Sequence, residues 1–261
     1  MSVERGIHFA TALFYLALTH SNEFGQALGR INAGGEHDVT DPPTLVLMPG
    51  AFHRHHNHTG ADGARLLTAA KELGWPTEVI PVGSLGSVQT NAEMLVERLR
   101  RHPARRIIVA SLSKGSADVA TALRHPMATE AFGRVCGWIS LSGMIHGTPL
   151  INWLRRQPLR VAGVHLLLWA KRLRFAQLDE LRRSPGGPLD QAITLPSHLC
   201  AVHVIGCPLR QHLHHPWAPR GYERLAPLGP NDGGGILLGD ATRFPGLTYP
   251  VWGADHYLNP A

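Results

Sequence analysis

Ser113 stands in the pentapeptide Ser111-Leu112-Ser113-Lys114-Gly115, behind the apolar run RIIVA at 106–110 and ahead of a helical pattern at 116–123. A serine on a sharp strand-to-helix turn needs small residues two positions to either side, because the backbones crowd there. Ser111 and Gly115 meet that need. Such a turn lifts the hydroxyl above the sheet edge, and the following helix points free N–H groups at developing negative charge. A serine hydroxyl becomes a useful nucleophile only when a base within hydrogen-bond reach takes its proton, and imidazole is suited to the task near neutral pH. Of the 17 histidines, His256 is the candidate base. It lies in Gly253-Ala254-Asp255-His256, directly after the apolar segment LTYPVW at 247–252.

The elements that would carry these groups are legible as alternating apolar runs and helical patterns. TLVLM at 44–48 is continuously apolar and ends at Pro49-Gly50, as expected for a strand covered on both faces. Further strands are expected at 77–82 (TEVIPV), 106–110, 135–141 (VCGWISL), 200–205 (CAVHVI) and 247–252. Helices are expected at 61–74, 91–101 with Asn91 as N-cap, and 116–123. This alternation predicts βαβ units and a mostly parallel sheet, whose ligands sit beyond the carboxyl ends of the strands. Residues 146–195 interrupt it with two or three helices and carry eight basic against three acidic residues, most of the chain's net +6.

Composition sets the outer limits. Across 261 residues, 44% are hydrophobic and 17% charged, enough to build a core and too apolar for a mainly disordered chain. The 28 glycines and 20 prolines exclude a long coiled coil. Three cysteines cannot close a disulfide framework, and Cys200 and Cys207 stand too far apart along an extended strand to bridge. Cys136 reads as a core thiol. No run reaches the roughly 18 apolar residues of a membrane span. The segment 7–20 (IHFATALFYLALTH) reads as an amphipathic helix, with a secretion-signal core or membrane anchor as the alternative. A cytoplasmic location is thus the default, and a secreted or membrane-associated one the alternative. Residues 30–42 read as a loop leading into the core.

TLVLMPGAF, IIVASLSKGSADV, WISLSG and the terminal GADHYL together resemble the α/β-hydrolase superfamily, in particular bacterial esterases and lipases, from about residue 43 to the C-terminus. The resemblance implies a mostly parallel sheet with helices on both faces, a core over 43–145 and 196–261, a helical lid at 146–195 and an N-terminal helix with lead-in loop at 1–42. It implies a Ser113, acid, His256 order for a catalytic triad. Asp232, in Gly229-Pro230-Asn231-Asp232-Gly233, is the first choice of acid and Asp240 the second; Asp255 is too close in sequence to His256 to orient it. By the same likeness, the amides of Lys114 and of Ala51, with Phe52 as the near alternative to Ala51, would form an oxyanion hole, and Phe52 would contact the substrate. Pro49 stands where lipases usually have histidine, and the connection from 205 to Asp232 is unusually long.

The expected activity is hydrolysis of a small-molecule carboxylic ester through an acyl-enzyme, requiring no cofactor. Thioester cleavage or acyl transfer on the same machinery, or a non-catalytic binding protein of this fold, are the alternatives. A basic, apolar-faced lid would suit an anionic group or membrane surface rather than nucleic acid. His53, His55, His56 and His58, with His212, His214 and His215, cluster without a zinc-ligand spacing, so no metal site is expected. Arg54 or His53 could instead hold an anionic group near the serine.

Overall fold

The computed structural model describes residues 3–32 and 41–258. Six parallel strands form one sheet in the order β2-β1-β3-β4-β5-β6. They are β1 (Thr44–Met48), β2 (Thr77–Val79), β3 (Ile107–Leu112), β4 (Val135–Leu141), β5 (Cys200–Cys207) and β6 (Leu247–Trp252). Around them pack α1 (Val3–Thr19), α2 (Asn22–Asn32), α3 (Ala64–Glu72), α4 (Val88–Arg101), α5 (Lys114–Ala122), α6 (Ala128–Ala131), α7 (Pro149–Arg155), α8 (Pro158–Ala170), α9 (Phe175–Asp179) and α10 (Ala218–Leu225). The order reverses between β1 and β3, so the loops after these two strands face each other across a switch point.

Every residue of β1 is buried, because helices cover both its faces. On α4, Leu95 and Leu99 are wholly excluded from solvent and share a core with Ile107, Val109, Phe132 and Trp138. Each such side chain stabilises the fold by about 1.5–3 kcal/mol relative to exposure. The N-terminal segment forms two helices, α1 and α2, that pack on β6 through Tyr15 against Trp252 and Phe24 against Tyr249. Among the described residues, no helix is long and apolar enough to cross a membrane. Most of the lead-in loop expected at 30–42 lies outside the described residues.

Several boundaries differ from the sequence expectation. β2 stops at Val79, two residues before Pro81, which has no N–H to give a ladder. Strands β3 and β5 run two residues further than their apolar cores, to Leu112 and Cys207. Helix α4 begins at Val88 rather than after Asn91, with Ser87 at the N-cap position. Asn91 is buried inside the helix, where its side-chain amide donates to Asp118 at 2.9 Å. A buried partner for the amide outweighs the usual preference of asparagine for a cap. The interruption at 146–195 contains three helices, α7 to α9.

Candidate active site

The Ser113 backbone adopts φ 48° and ψ −112°, a conformation that non-glycine residues avoid. The turn is held from both sides: the Ser113 N–H donates to Leu141 at 2.9 Å, and its carbonyl accepts from Met144 at 2.9 Å. The crowding anticipated for the flanking residues is visible. A Cβ on Gly115 would run into the carbonyls of Met48 and Pro49, at the end of β1. At the other flank Ser111 is fully buried, and its hydroxyl accepts from the Trp138 indole at 2.9 Å and pairs with Ser116 at 2.8 Å. Ser140 donates to the same Ser116 hydroxyl at 2.9 Å. A serine fits the first small position because its hydroxyl joins this network beneath the turn.

His256 and Asp232 meet Ser113 at the carboxyl end of the sheet. The Ser113 Oγ lies 3.1 Å from Nε2 of His256, and Nδ1 of His256 lies 2.5 Å from Oδ2 of Asp232. The other carboxylate oxygen of Asp232 accepts the N–H groups of Gly234, Gly235 and Ile236, each at 2.9 Å. Burial would push the Asp232 carboxyl up, but the His256 ring and these amides outweigh it and hold it below the ordinary carboxylate range. An ionised carboxylate only accepts, so Nδ1 of His256 carries the proton and Nε2 is free to receive one from Ser113. Burial lowers the His256 value, yet the Asp232 charge and hydrogen bond raise it further, above that of ordinary imidazole. Gly234 allows the approach, since a Cβ there would overlap the His256 side chain.

The other acids are engaged elsewhere. Asp240 pairs with Arg183 at 2.6 Å and makes no hydrogen bond to His256. Asp255 accepts the backbone N–H groups of His215 and Tyr257 at 3.3 and 3.0 Å, which fixes the loop rather than the ring.

Backbone N–H groups are left free on the loop after β1 and in the first turn of α5. Among the described residues, those of Ala51 and Lys114 reach no protein acceptor, whereas Phe52 donates to the Ser84 carbonyl at 2.5 Å. Lys114 is the first residue of α5, where helix geometry leaves its N–H without a partner. Its side chain was not foreseen: it is buried, and its ammonium donates to both oxygens of Asp118 at 2.7 and 3.0 Å. Burial pushes the Asp118 carboxyl up to about 6, against the pull of Lys114 and Asn91. Phe52 and Ala51 pack with Leu85 against Leu154, Val161, Val164, Leu168, Phe175 and Leu178 of α7 to α9 in one apolar cluster.

The two histidine groups come together in a ring stack and not in a ligand set. His56 lies 5.0 Å from Trp217, His58 stacks on His215 at 5.9 Å, and His215 stacks on Tyr257 at 3.6 Å, beside His256. The long connection before Asp232 thus supplies a wall next to the imidazole. Arg54 donates to the Val82 carbonyl at 3.1 Å and His53 contacts the Gly50 carbonyl at 3.0 Å, so both side chains brace loops. Among the described residues, no group of three histidine, cysteine or acidic side chains is placed to hold a metal ion.

No family model matches the chain, and no curated protein does. Solved structures do. A metagenomic carboxyl esterase aligns with a TM-score of 0.61 at 23% identity, over 83% of this chain and 65% of its own. The mature form of the Bacillus licheniformis lipase BlEst2 aligns with a TM-score of 0.55 at 19% identity, over 86% of this chain and 88% of its own. The chain has the α/β-hydrolase fold. Ser113 lies on the turn after β3, Asp232 in the segment after β5 and His256 in the loop after β6. The chain spans about 65% of the length of the metagenomic esterase.

Proposed function

We propose that this protein is a serine hydrolase that cleaves carboxylic esters through an acyl-enzyme. The observation that carries the reading is the continuous contact from Ser113 Oγ through His256 to the buried, thrice hydrogen-bonded Asp232. The solved carboxyl esterase and lipase of the same fold support it.

In this reading the Ser113 Oγ attacks the ester carbonyl carbon as its proton passes to Nε2 of His256. The carbonyl oxygen becomes an oxyanion that accepts the N–H groups of Ala51 and Lys114, aimed by the two loops that face each other at the switch point. Asp232 steadies the imidazolium so formed. Collapse of the tetrahedral species breaks the bond to the alcohol, which leaves with the His256 proton. Water then loses a proton to His256 and attacks the acyl-enzyme; the carboxylic acid departs and the proton returns to Ser113. Phe52 and the apolar face of α7 to α9, acting as a lid, receive the acyl group.

The test is turnover of p-nitrophenyl esters from acetate to long-chain acids by the wild type, Ser113→Ala and His256→Ala. The reading expects losses of several orders of magnitude in both variants with unchanged circular dichroism. Turnover at the wild-type level in either variant discards it.

A further inference from the structure

We infer that the cleft between α7, α8 and α10 is a binding site for a phosphate group. Trp153, Arg160, Arg220, Glu223, Arg224 and Pro227 line an open cleft of about 630 Å³. The Arg160 and Arg224 guanidinium carbons lie 4.9 and 4.2 Å from the Trp153 ring centroid. Burial and the neighbouring charges of Arg160 and Arg220 lower the proton affinity of Arg224, so these cations feel one another.

In this cleft three arginines meet a single acid, Glu223. Two other arginines of the inserted segment do find acids, Arg155 with Asp179 and Arg183 with Asp240. Glu223, the acid in the cleft, is turned to Arg210 at 2.8 Å. Among the described residues, Arg160, Arg220 and Arg224 form no ion pair. Two cations held on one indole, with Arg220 lining the same cleft, gain little from one another and much from a dianion placed between them. The indole fixes two guanidinium planes through cation–π contact, so less side-chain freedom is lost on binding. Guanidinium forks match phosphate oxygens two at a time. Three guanidiniums lining one cleft suit a single phosphate group.

The site joins the inserted segment to α10, which precedes Asp232 in the chain. A bound phosphate would therefore tie the covering helices to the loop that carries the buried acid. The inference does not depend on the hydrolase reading, and it is tested without measuring turnover.

Calorimetric titration with inorganic phosphate at constant ionic strength should give saturable binding. Loss of two charged hydrogen-bond donors in Arg160→Gln/Arg224→Gln should weaken it by about a hundredfold or more. Arg65→Gln/Arg105→Gln removes the same charge elsewhere and should leave it within about threefold. Sedimentation with phosphatidylcholine vesicles, with and without phosphatidic acid, separates the sources. Arginine-dependent capture by phosphatidic acid assigns a lipid headgroup, and phosphate binding without capture assigns a soluble ligand. Absence of saturable phosphate binding, or an equal loss in the two double variants, overturns the proposal.

Discussion

The ammonium of Lys114 lies 2.7 Å from Asp118, one turn along the helix that Ser113 introduces, and both side chains are removed from water. The residue whose backbone faces the candidate reaction centre thus has its charge locked behind it. Removing one member of a buried pair leaves the other unpaired, at a cost of about 3–5 kcal/mol, whereas replacing both with apolar groups is often neutral. Asp118→Asn should therefore destabilise the protein by that amount in urea unfolding, and Lys114→Met/Asp118→Leu should recover most of it.

The same pair gives a pH signature. The Asp118 carboxyl sits at about 6 in the folded state against an ordinary value of 3.8, so the folded chain holds this proton more tightly than the unfolded one. The contribution of this group to stability falls as pH rises from about 4 to about 6 and is constant above that window. Unfolding free energies measured across it should show this slope in the wild type and lose it in Asp118→Asn.

Catalysis should carry the opposite limb. His256 must be neutral to accept the Ser113 proton, and Asp232 raises its proton affinity above that of ordinary imidazole. The acid limb of kcat/KM should accordingly fall at a pH above 6.5, the ordinary value. Asp232→Asn should move the limb to lower pH and reduce kcat by about four orders of magnitude, the scale typical of a triad carboxylate. A pH–rate profile of both proteins checks the direction.

Gly115→Ala should be costly for a steric reason. The added methyl meets the carbonyls of Met48 and Pro49, which are backbone and cannot rotate away. Overpacking at such a point costs about 3 kcal/mol and should part the Ala51 loop from the Ser113 turn, lowering turnover as well. Gly163→Ala, inside α8 with open space around it, should instead stabilise by about 0.5–1 kcal/mol. Thermal unfolding of the two variants distinguishes these outcomes.

Phe52→Ala takes an aromatic ring out of the apolar cluster that packs on α7 to α9. It should reduce kcat/KM for long-chain esters by about 1–3 kcal/mol while leaving acetate nearly unchanged. An acyl-chain series reads the difference.

The sheet was legible where short apolar runs are bounded by turn residues. TLVLM, VCGWISL and LTYPVW coincide with β1, β4 and β6. The spacing around Ser113 and the position of His256 after the last strand singled out residues that the structure brings within hydrogen-bond distance. Asp232 stood ahead of Asp240 in the sequence only by resemblance; its partner amides come from the turn it closes, whereas the partner of Asp240 is Arg183, far away in sequence. The burial of Lys114 was hidden for a similar reason. Its signal, an acid four residues on in a helix of small residues, reads equally as a solvated pair, and only the packing of Asn91 from α4 decides. The ring stack of His58, His215 and Tyr257 joins three distant segments, so no local pattern announces it.

The most direct test of the central claim is covalent. The protein should react with a fluorophosphonate to give one adduct per chain by intact mass, mapped by peptide fragmentation to Ser113 and absent from Ser113→Ala. A folded protein that takes up no label, or takes it up equally in Ser113→Ala, contradicts the account.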